Sequence, residues 1–142
     1  MKIEMWVYLF LCIKQTTICF YSSFLFLINV FFCILYKEYL YSSVFLCLFL
    51  TSIFFHFYKD QPFYLLDQTS ILMCVIYGAL LFLLKKKRIT HSMLILFSFF
   101  MTLFLFYYGY LTEQFCYGPY GNEYHSILHA LSSVGHLAIL FM

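Results

Sequence analysis

Long apolar runs alternate with short polar breaks along the whole chain. The runs cover residues 16–36, 39–58, 64–84, 89–110 and 124–142. Each is close to the roughly 20 residues that a helix needs to cross a bilayer's hydrocarbon. The breaks fall at Lys37-Glu38, at Lys59-Asp60-Gln61-Pro62, at Lys85-Lys86-Lys87-Arg88 and across residues 111–123. The last contains Gly118-Pro119 and Gly121-Asn122, which are turn signals. The pattern predicts an all-α polytopic transmembrane helix bundle of about five spans. Nothing divides it, so residues 1–142 read as one domain. Residues 1–13 stop at Lys14 and read as an interfacial helix or an extension of the first span. No small-residue cleavage site of a secretory signal follows them.

Composition sharpens this picture. Of 142 residues, 65% are hydrophobic and 10% charged. Soluble domains carry about 25% charged residues, so a soluble fold would lack a polar surface. No basic patch is interleaved with polar residues, which argues against nucleic acid as a partner. The 20 Phe and 14 Tyr, with many Leu, Ile and Lys, fit an AT-rich coding sequence, that of an organelle such as the mitochondrion or of an AT-rich genome. The six cysteines (Cys12, Cys19, Cys33, Cys47, Cys74 and Cys116) show no CxxC spacing. They read as small apolar packing residues rather than a disulfide framework or a zinc knuckle.

Tracing the spans brings ionisable residues to one depth. Span two ends, and span three begins, on a face here termed near. Span three ends at Lys85–Arg88 on the far face, and span five begins on the near face. His56, Asp67, His125 and His129 therefore fall within about two helical turns of the near face. Ionisable side chains inside bilayer-length segments are expensive, and their clustering is a functional-site signal. Lys37, Lys85, Lys86, Lys87 and Arg88 lie on the far face, against Lys2, Lys14 and Lys59 on the near face. That bias predicts a cytoplasmic or matrix-side far face.

The spacing carries chemistry. His125 and His129 are four apart, so one helical face presents both. Such a pair suits a shared metal or a haem, and His56 offers a third ligand. Three histidines with an open position form the catalytic zinc arrangement, in which a held water reaches a pKa of about 7. Asp67 could take that water's proton and pass it to a leaving group. Ser52, one turn before His56, could hydrogen-bond the water or a developing oxyanion. His136 reads as a deeper packing or hydrogen-bonded residue, and His91 as interfacial. Glu113 and Glu123 read as solvated residues of the near-face loop. Lys85–Arg88 reads as a topology anchor, with anionic-lipid contact as the alternative.

Ser52-x3-His56, followed by Leu65-Leu66-Asp67-Gln68-Thr69-Ser70-Ile71, resembles the first motif of the alkaline ceramidases. His125-x3-His129-Ala-Leu-Ser-Ser-Val-Gly135 is similar to their last transmembrane helix. The wider group, the CREST superfamily, contains seven-helix membrane proteins, many of them zinc hydrolases. The resemblance implies that His56, His125 and His129 hold Zn2+. It implies that Asp67 is the acid/base and Ser52 the water or oxyanion partner. Ceramide, or a ceramide-like membrane lipid, would be the substrate, and an endomembrane (ER/Golgi) the location. The chain departs from the family in placing one span, 89–110, where the family has three. The family's acidic N-terminal calcium site has no counterpart. Ile127-Leu128 stand where an aromatic pair is expected.

Two other classes remain open on the sequence. One is a non-catalytic subunit of a larger membrane assembly, in the mitochondrial inner membrane by composition. The other is a haem or quinone anchor like those of succinate dehydrogenase. The helix break at Lys59–Pro62, between His56 and Asp67, argues against the second.

Overall fold

A computed structural model of the chain describes residues 18–58, 60–85, 88–111 and 121–142. These form five helices, with no strand among the described residues. We label them α1 (Ile18–Leu35), α2 (Tyr39–Tyr58), α3 (Gln61–Leu84), α4 (Ile89–Leu111) and α5 (Gly121–Phe141). The segments of α1 to α4 are long and apolar enough to cross a membrane, so the chain is an integral membrane protein. At 1.5 Å per residue, α5 is also about 30 Å long. Its apolar character is diluted by Asn122, Glu123, three histidines and three serines. The expected start of the first span and the reading of Glu113 lie outside the described residues.

Local chemistry sets the boundaries. Lys37 takes a left-handed conformation (φ 62°). Glu38 N–H then donates to Cys33 O at 2.8 Å, and Lys37 N–H to Ile34 O at 3.0 Å. This paired closure satisfies the orphan carbonyls of α1 and turns the chain into α2. Asp60, in an extended conformation, precedes α3, and Pro62 sits in its first turn. A proline there forfeits only an N–H that had no partner, so α3 begins at Gln61 rather than at the expected 64. Likewise α5 begins at Gly121 rather than 124, because Gly121-Asn122 open the helix instead of preceding it.

The helices pack in a ring. α2 contacts α1 and α3, while α5 contacts α1 and, more slightly, α3. α4 packs on α5 alone among the described residues. α2 and α5 face each other across the ring, and their described Cα atoms nowhere approach within 8 Å. Long side chains fill the space between them. On the far half, Tyr41 and Phe45 of α2 meet His136 of α5, and Tyr41 OH is hydrogen-bonded to His136 Nδ1. Gly78 of α3 makes room for this pair. A Cβ there would lie 2.8 Å from His136 Cε1 and 2.9 Å from Tyr41 OH. At the far end, Lys85 Nζ donates to Leu140 O at 2.9 Å. Beyond anchoring topology, Lys85 therefore caps the negative end of α5.

Candidate metal centre

On the near half, the space between α2 and α5 holds imidazoles. His56 lies near the C-terminus of α2, and His125 and His129 lie in the first turns of α5. Their ring centroids are 4.8 Å (His56–His125), 5.5 Å (His56–His129) and 4.6 Å (His125–His129) apart. Each residue is only 4% exposed. The structure thus brings the three imidazole rings together, but only His56 and His125 place ligand nitrogens in one potential metal group, and His129 lies outside it with Nδ1 against Ser22.

It adds a residue that the sequence reading placed elsewhere. Cys19, expected to be a packing residue, is buried, and its Sγ lies with ligand nitrogens of His56 and His125. All three atoms are within 4.8 Å of one another. This Cys19–His56–His125 group could hold a metal ion. In a tetrahedral zinc site with bonds of about 2.0–2.3 Å, ligand atoms sit roughly 3.3–3.8 Å apart. Closing the group therefore needs side-chain shifts on the order of 1 Å. Cys19 is buried as a packing residue would be, and the same position sets its Sγ beside imidazoles from two other helices.

α1 also supplies hydroxyls. Ser22 Oγ donates to Cys19 O at 3.0 Å and lies 2.8 Å from His129 Nδ1. A serine has one hydroxyl proton, so Ser22 either gives it to the Cys19 carbonyl and accepts from His129 Nδ1–H, or gives it to Nδ1, according to the imidazole tautomer. In the tautomer with Nδ1 protonated, His129 donates to Ser22 and the Nε2 lone pair is left for a ligand. Such an outer hydrogen bond is how metal-binding histidines are oriented. Ser23 Oγ likewise donates to Cys19 O at 2.9 Å. Ser23 Oγ and Ser52 Oγ share a 2.9 Å contact in which either hydroxyl can donate. Ser52 Oγ thus lies against Ser23 of α1.

Asp67 lies about two turns into α3 and is 2% exposed. Thr51 Oγ1, adjacent in sequence to Ser52, donates to its Oδ1 at 3.5 Å. That bond is long, and the same hydroxyl also reaches Leu48 O at 3.2 Å. One turn below the histidines, Asn29 Nδ2 donates to Ser133 Oγ. Glu123 is exposed in the first turn of α5, where a negative charge suits the helix dipole. His91 is partly buried and lies 3.4 Å from Thr90 Oγ1. Ser22 and Ser23 carried one legible signal, since Cys19, Ser22 and Ser23 fall on one helical face of an otherwise apolar run.

Compared with known protein families, curated proteins and solved structures, the chain matches none of them.

Proposed function

We propose that the chain is a zinc-dependent intramembrane hydrolase of lipid amides, of the ceramidase-like kind its motifs resemble. The observation that supports this most is the buried convergence of His56, His125 and His129 from two helices, at one depth. The donor set suits zinc, which prefers imidazole nitrogen and thiolate sulfur. Bound there, zinc would polarise the scissile carbonyl and activate a water at neutral pH. His56, His125 and His129 hold the ion, and His129 presents Nε2 because Ser22 engages Nδ1. Asp67, buried with one long hydrogen bond, takes a proton and returns it to the leaving nitrogen. Ser52 serves the oxyanion when its hydroxyl swings away from Ser23. The substrate is a ceramide-like amide whose chains lie in the bilayer, and its products are a fatty acid and an amine. An endomembrane location follows from this reading, and a mitochondrial one from composition.

The test is metal analysis of the purified protein together with turnover of ceramide in mixed micelles. Stoichiometric zinc and hydrolysis abolished in His125→Ala and Asp67→Ala are expected. Bound zinc without turnover of any lipid amide or ester would sink the enzyme.

A second reading is a subunit of a larger membrane complex that keeps the metal site as a structural element. It is favoured by α4, whose candidate span is only 11% buried and packs on α5 alone among the described residues. Copurification with membrane partners in fixed stoichiometry would support it, and a stable active monomer would remove it.

A further inference from the structure

We propose that Cys19 joins His56 and His125 as a metal ligand, with His129 turning in from beside them to fill the fourth position, so that the N-terminal part of α1 closes the coordination sphere and gates it. This rests on the reading of the histidines as a metal site, not on the hydrolase reading.

Three observations carry it. The first is proximity, since Cys19 Sγ falls within 4.8 Å of ligand nitrogens on His56 and His125. The second is fixation. The Cys19 carbonyl accepts hydrogen bonds from both Ser22 and Ser23, which hold His129 Nδ1 and Ser52. One network thus sets the position of Cys19 relative to α2 and α5. The third is contrast. Cys33 and Cys74 are equally buried, yet neither joins a group of potential ligands among the described residues.

Charge gives the physical reason. Three neutral imidazoles bring no negative charge of their own to offset the two charges of a divalent ion in a low-dielectric interior. A thiolate cancels one of them. Binding expels the thiol proton to solvent, as metal uptake by cysteine does generally. Four protein ligands make a closed sphere, the pattern of structural zinc sites, whereas catalysis keeps a position open. Cys19 must therefore withdraw before a substrate oxygen can reach the ion. The fold has a place for this movement. At Phe24 the helix tightens, with Phe24 N–H to Tyr21 O and Leu27 N–H to Phe24 O, both at 3.1 Å. That turn separates the Cys19 segment from Leu25–Leu35.

The experiment loads the full-length chain, in lipid nanodiscs, with cobalt(II) in place of zinc. Wild type should show a near-ultraviolet thiolate-to-cobalt absorption. Cys19→Ala and Cys19→Ser, at saturating cobalt, should bind the metal and lose that absorption. X-ray absorption at the zinc edge of wild type should find one sulfur at about 2.3 Å, which needs no variant to fold. Cobalt bound without the thiolate band, or a band retained in Cys19→Ala, overturns the role of Cys19 and leaves the histidine site standing. A wild type that binds no metal overturns both.

Discussion

Single residues decide what the near half of the bundle can do. His129 Nδ1 lies against Ser22, and with the proton on Nδ1 the ring offers its Nε2 lone pair to a ligand. Ser22→Ala removes the orienting partner and should weaken metal affinity by about 10–100-fold, measured by competition with a chelator. An unchanged affinity would show that the hydrogen bond does not set the tautomer. The histidines were legible in the sequence because an ionisable residue in an apolar run stands out, and because a spacing of four fixes a shared face. Cys19 was not, since cysteine serves equally as a small apolar residue and as a ligand. Only the meeting of α1 with α2 and α5 separates those uses. Ser22 and Ser23 offered only the face they share with Cys19 as a signal, because a helical hydroxyl is readily satisfied by its own backbone.

At the scale of the helix, the decisive feature is the spacing of α2 and α5. Their backbones stay apart, and Gly78 of α3 yields the room in which His136 and Tyr41 meet. Gly78→Ala should force this pair apart and destabilise the bundle by about 1–3 kcal/mol, read from unfolding in mixed detergent. Stability equal to wild type would mean that the imidazole relaxes freely. The spans themselves were plain from runs of apolar residues. Their partners were not, because lipid-facing and buried positions are both apolar in a membrane, so no amphipathic stripe marks the interface. Errors at the starts of α3 and α5 share a cause, for Pro62 and Gly121-Asn122 are compatible with a first helical turn as well as with a loop.

For the molecule as a whole, the far-face Lys37, Lys85, Lys86, Lys87 and Arg88 predict a cytoplasmic or matrix-side far face. A protease site fused after Met142 should therefore be cut from the cytoplasmic or matrix side of sealed vesicles, while one protected from that side would reverse the assignment. The bundle's number of helices and its common depth of polar residues were legible from the chain, whereas the ring order was not. α1, α2 and α3 pack as sequence neighbours, so each can dock as soon as the next is inserted. α5 instead returns to lie against α1 across a long stretch of chain, and it brings two of the three histidines. Translation at about 5–20 residues per second thus exposes His56 and Cys19 to the cell for several seconds before their counterparts exist. A metal ion captured there would arrive only once α5 is seated, which makes its uptake a timestamp of finished assembly rather than a step toward it.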